Sequence, residues 1–168
     1  MKELNAIQYI ERKPVVKTEK TPLFVLIHGY GSNEEDLFSF ANDLPENAHI
    51  ISVRALHNTQ FGGFAWYDIN FVDNEKWTDV EQAIESRDKL VKFIDAIIAQ
   101  ENLDADNVTL MGFSQGAILS YAISLNYPEK IKNVAILSGY PESKIIADFN
   151  QTADFSRLNF FISHGTED

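Results

Sequence analysis

Ser114 stands between Gly112 and Gly116 in the pentapeptide GFSQG, directly after the apolar run Val108–Met111. A serine at a sharp strand-to-helix reversal takes strained backbone angles, and its hydroxyl is lifted clear of the turn. Side chains two positions to either side would collide across such a turn, so glycine is wanted at both, and Ala117 keeps the helix entry narrow. The N–H of Gln115 then lies at a helix N-terminus, where it can stabilise developing negative charge. The plainer alternative is a glycine-rich turn in which the serine only caps the helix. A strand before, a helix after and small residues at three positions favour a nucleophile.

An oxyanion needs a second donor, and its natural source is the loop after the first central strand, LFVLIHGYGSNEED at residues 23–36. Gly29 and Gly31 permit a tight backbone turn beside the serine, so the N–H of Tyr30 can aim at the same point. His28 reads as a residue that brackets this loop rather than as a proton acceptor. Phe64, Trp66 and Tyr67, together with Phe61, either line an apolar substrate pocket or pack a long loop onto the sheet. Asp104 and Asp106 read as a turn, and Glu34-Glu35-Asp36 as acidic residues at a helix N-terminus. No metal site or phosphate-binding loop is expected, and no cofactor.

These residues need a scaffold. Five short apolar runs, Leu23–Ile27, His49–Val53, Val108–Met111, Val134–Leu137 and Phe160–Ser163, show little alternation, as buried strands of a parallel sheet do. Ile7–Ile10 and Pro14–Lys17 are expected to form an antiparallel lead-in. Helical spacing covers Thr78–Gln100, with Thr78 and Glu81 as a capping box, and Asn33–Leu44 and Gln115–Asn126 also read as helices. Ala55–Trp77 reads as one long irregular segment. The alternation predicts an α/β fold, a mostly parallel sheet with helices on both faces, in a single domain spanning 1–168.

Composition narrows the partners. With 25 acidic against 14 basic residues the net charge is −11, which opposes nucleic-acid phosphates and anionic membranes. The absence of cysteine excludes disulfides, thiolate metal sites and a cysteine nucleophile. The first twenty residues carry charge throughout, and no apolar run approaches the ~20 residues of a membrane span. The expectation is a cytoplasmic protein with no stable membrane insertion and no nucleic-acid partner, its oligomeric state left open.

The segments IHGYG, WYD at Trp66–Asp68, DADNVTLMGFSQGAILS and the terminal HGTED occur together and in this order. In this the chain, from about Leu23 onward, resembles the carboxylesterase/phospholipase branch of the α/β-hydrolases, which includes bacterial esterases and acyl-protein thioesterases. The resemblance implies that Ser114 is the nucleophile, that Asp168 matches the triad acid, and that the N–H groups of Tyr30 and Gln115 form the oxyanion hole. It also implies that WYD borders the acyl pocket and that the substrate is a small ester or thioester. Asp168 would emerge after the last strand on the same sheet edge as Ser114, although an Asp there would otherwise read as a solvated end.

The family's histidine falls a few tens of residues beyond its acid, so the resemblance implies that a C-terminal strand and helix are absent from these 168 residues. The expectation is then a weak enzyme on its own, with the Phe160–Ser163 strand left as an uncovered edge. None of His28, His49, His57 and His164 fits the role of base. The alternative from another class is a non-catalytic hydrolase-like domain that binds a partner or an acyl ligand.

Overall fold

The computed structural model describes residues 1–60, 62–72, 75–146 and 149–166, with residues 70–72 and 75–77 in backbone only. The chain opens with β1 (Lys2–Leu4), β2 (Ile7–Arg12) and β3 (Leu23–Ile27), followed by the single turn α1 (Glu35–Phe38) and β4 (His49–Val53). Two small hairpins come next, β5 (His57–Asn58) with β6 (Phe64–Ala65) and β7 (Ile69–Val72) with β8 (Glu75–Thr78). The remainder runs α2 (Val80–Glu101), β9 (Val108–Phe113), α3 (Gln115–Asn126), β10 (Asn133–Leu137), α4 (Ser143–Ile146) and β11 (Asn159–Ser163).

Seven strands form the main sheet in the order β1-β2-β4-β3-β9-β10-β11. From β4 to β11 all neighbours are parallel, and β1 and β2 add an antiparallel margin. The register sets Ile27 beside Gly112, and Phe113 beside Leu137. The C-terminal ends of β3, β9 and β10 therefore meet at one edge of the sheet, and the loops leaving them lie side by side.

Helices lie on both faces but cover them unevenly, and β11, expected as a buried strand, is exposed along its length. On one face α2 and α3 bury Phe93, Ile94, Ile97, Leu119 and Ile123 against Val25, Ile27, Ile51 and Leu110. Each such side chain contributes about 1.5–3 kcal/mol by leaving water. On the other face Leu37 and Ala41 close a smaller core over Leu26 and Ile50. No helix among the described residues is long and apolar enough to cross a membrane.

Four details differ from the sequence reading. Pro14–Lys17 is not a strand. Lys2–Leu4 takes its place beside β2, while Val15 and Val16 are exposed and their N–H groups turn to the carbonyl of Glu46. Proline lacks the N–H a ladder needs. Within Asn33–Leu44 only Glu35–Phe38 is α-helical, because Phe40, Ala41 and Asp43 donate to carbonyls three residues back and tighten the chain into turns. The cap of α2 is Asp79 rather than Thr78, its carboxylate accepting from the N–H of Gln82 at 3.0 Å. Ala55–Trp77 carries the two hairpins, whose strands are too short to announce themselves by alternation.

Candidate active site

Ser114 occupies the step from β9 to α3 with φ +50° and ψ −112°. A residue bearing a Cβ pays for such angles with about 1–3 kcal/mol of strain, so the surroundings must impose them. Its N–H donates to the carbonyl of Leu137 at 2.9 Å, and its carbonyl accepts from Ile118 at 3.0 Å. Its side chain makes no capping hydrogen bond, although it stands at the N-cap position. The hydroxyl is thus left for other work, contrary to what a plain cap would require.

The neighbouring glycines are steric necessities. A Cβ on Gly116 would lie 2.0 Å from the carbonyl oxygen of Ile27 and 2.7 Å from that of His28. One on Gly112 would lie 2.4 Å from the carbonyl oxygen of Gly116. α3 therefore starts pressed against β3, which brings the loop after β3 to the serine. A Cβ on Gly29 would approach the Phe113 ring at 3.0 Å and the Cβ of Ser114 at 3.4 Å. The Gly29–Gly31 loop and the serine turn are in contact. As the first residue of α3, Gln115 has an N–H with no intrahelical acceptor. Tyr30 stands one residue beyond Gly29 in the adjoining loop, and Gly31 takes the left-handed φ of +74°.

His28 is fully buried and both its ring nitrogens are engaged. The N–H of Ala55 donates to Nε2 at 3.1 Å, so the proton resides on Nδ1, which donates to the carbonyl of Gly29 at 2.7 Å. Burial pushes this imidazole below its ordinary value. It remains neutral and holds the loop, as its place at a strand end suggested.

Trp66 and Tyr67 are buried, 0% and 2% exposed. The indole Nε1–H donates to the carbonyl of His28 at 2.9 Å, with the two rings 5.6 Å apart. These side chains sit in the core beneath the loop and present no open pocket wall. Phe64 is half-buried and lies under the guanidinium of Arg54.

What sequence reasoning missed is the side chain of Gln115. Its Oε1 accepts from the N–H of Trp66 at 2.8 Å and its Nε2 donates to the carbonyl of Tyr67 at 2.7 Å. Ser86 on α2 closes the same segment, its hydroxyl donating to the carbonyl of Trp66 at 2.5 Å. The only local signal is a carboxamide side chain between a serine and a glycine.

Asp168 lies outside the described residues, as does Phe61. His49 opens β4 at the opposite end of the sheet, where Nε2 meets Glu11 at 3.1 Å. Burial holds it too below its ordinary value, outweighing the pull of Glu11. His164 is exposed beyond β11, and His57 lies in the β5 hairpin strand.

The two buried imidazoles set a pH dependence. An unfolded chain takes up protons at histidine near ~6.5, before either folded ring does. Their contribution to stability is therefore complete above about pH 6.5 and declines as the pH falls below it. Denaturant midpoints should be lower at about pH 5.5 than at about pH 7.5, and His28→Gln should shrink that difference. Equal midpoints in the parent protein would contradict the neutral assignments.

Comparison with known proteins places this geometry. The family model described as Phospholipase/Carboxylesterase matches residues 10–168. An acyl-protein thioesterase 1 from Schizosaccharomyces pombe is 28% identical over 127 residues, covering 71% of this chain and 56% of that protein. A carboxylesterase from Arabidopsis thaliana is 32% identical over 109 residues, covering 62% of this chain and 46% of that protein. The chain thus spans about half the length of these relatives. In fold it is similar to the crystal structure of the Bacillus cereus carboxylesterase, with a TM-score of 0.79 at 23% identity, over 96% of this chain and 72% of that one.

Proposed function

The chain belongs to the Phospholipase/Carboxylesterase family, and on that premise we propose that it is a cofactor-independent serine hydrolase of small carboxylic esters or thioesters. Ser114 attacks the substrate carbonyl, the C–O or C–S bond breaks to release the alcohol or thiol, and water hydrolyses the resulting acyl-enzyme to free the carboxylic acid and the serine. The N–H groups of Tyr30 and Gln115 hold the oxyanion of each tetrahedral intermediate. Asp168 serves as the acid of the triad, orienting the histidine that takes the proton of the serine. His28 cannot serve, since both its nitrogens are committed, and His49 lies at the far end of the sheet.

The observation that carries the reading is the left-handed Ser114 at the tip of the turn, its hydroxyl uncommitted and its Cβ beside Gly29. Strain at a serine in this position has no structural use that an ordinary N-cap would not serve better. Phe113, next to Ser114 in the chain, and Tyr30, in the adjoining loop, are 40% and 45% exposed and offer apolar surface to an acyl or alcohol group.

Treatment of the natural gene product with a fluorophosphonate should leave one stoichiometric adduct, mapped by peptide mass spectrometry to Ser114. An unmodified Ser114 peptide would defeat the hydrolase reading and favour a domain that only binds its ligand.

A further inference from the structure

Arg54 follows β4 directly and touches three separate parts of the chain. Its Nε and Nη2 donate to the two carboxylate oxygens of Glu34 at 2.6 and 2.5 Å, a fork-to-fork pair. Its Nη1 donates to Oε1 of Gln8 on β2 at 3.0 Å, and its main-chain N–H donates to the carbonyl of Gln8 at 2.8 Å. Its guanidinium carbon lies 4.4 Å from the centroid of the Phe64 ring.

Both outer contacts lead to the loop that carries Tyr30. Glu34 lies three residues beyond Gly31 and is 2% exposed, so its carboxylate is fixed where it lies. Phe64 is bonded to the loop through its backbone. The N–H of Gly31 donates to its carbonyl at 2.9 Å, and its own N–H donates to the carbonyl of Ser32 at 2.7 Å. One guanidinium, tied to the sheet through Gln8, therefore holds the loop on two sides.

We propose that Arg54 is a positioning residue that sets the direction of the Tyr30 amide toward Ser114, an inference that rests on the oxyanion role given to that amide above. The requirement is for a planar fork rather than for a charge. Two parallel N–H donors fix the angle of the Glu34 carboxylate while the flat face covers Phe64, and an ammonium can do neither. The pair also holds the Glu34 carboxyl below the usual carboxylate range, mainly through the hydrogen bonds from Arg54. A cleft of about 210 Å³ opens beside Arg54, lined also by Glu3, Gln8 and Leu56, so a shorter side chain would admit water behind the loop.

Two variants of the natural gene product separate positioning from folding. Arg54→Lys keeps the charge and loses the fork. Arg54→Gln combined with Glu34→Gln removes both charges and strands no buried carboxylate. In both, the amides of Gly31 and Phe64 should exchange with solvent at least about tenfold faster, while those of β9 and α3 keep their rates. Fluorophosphonate labelling of Ser114 and kcat should fall about tenfold for Arg54→Lys and about a hundredfold for the double variant, with KM little changed.

Wild-type exchange at Gly31 and Phe64 in both variants would overturn the proposal. So would unaltered labelling despite faster exchange, or a loss confined to KM. If the parent protein is not labelled at Ser114, it is the hydrolase reading that fails, and hydrogen exchange alone then decides whether Arg54 holds the loop.

Discussion

In the natural gene product, Ser114→Ala is expected to lower ester turnover by about 10⁶, leaving about 10³–10⁴ over water from the oxyanion donors and binding alone. Fluorophosphonate labelling should vanish. The fold should be indifferent, since the hydroxyl makes no capping hydrogen bond that alanine would remove. Stability then gives a second reading of the same position. Alanine keeps the Cβ that makes φ +50° costly, whereas glycine tolerates it. Ser114→Gly should therefore be more stable than Ser114→Ala by about 1 kcal/mol in denaturant unfolding. Retained turnover in Ser114→Ala would remove the nucleophile. Equal stability of the two variants would remove the strain.

Gly116→Ala is expected to prevent folding or to cost more than about 4 kcal/mol, at the extreme of single-residue effects. The added methyl would sit 2.0 Å from one main-chain oxygen and 2.7 Å from the next, both belonging to β3 and its exit at the centre of the sheet. A flexible side chain could move aside, but a central strand cannot without breaking its ladders with β4 and β9. Gly31→Ala provides the contrast. There a Cβ meets nothing within 4 Å, and only the φ of +74° opposes it, a cost of about 1–2 kcal/mol. Soluble yield and denaturant midpoints of the two variants should differ widely. A Gly116→Ala protein with the parent midpoint would show that α3 does not lie against β3 as described.

Where the sequence was legible, one element could be recognised without reference to another. β3, β4 and α3 have the bounds that their apolar runs and the GFSQG turn suggested, because burial on both faces leaves an unbroken run. Lys2–Leu4 escaped notice since a three-residue edge strand with two charges has no periodicity to read. The Thr78–Glu81 pattern misplaced the cap of α2 by one residue, since Asp79 also carries an oxygen that can accept from the first turn and it is the one that does.

The site divides in the same way. Ser114, Gly112, Gly116 and the bracing role of His28 follow from local turn chemistry. The bonds from Gln115 to Trp66 and Tyr67, and from Arg54 to Glu34 and Gln8, join residues 20 to 49 positions apart. No spacing rule encodes such pairs, and only the tertiary arrangement reveals them.

Gln115 lends its main chain to one task and its carboxamide to another. Substitutions at Trp66 or Tyr67 that displace the main chain there would move the Gln115 carboxamide with it, and on the proposed mechanism the donor amide of the same residue as well. Buried packing and the proposed chemistry thus share one hinge, and a variant that breaks the carboxamide bridge should lose stability and turnover together.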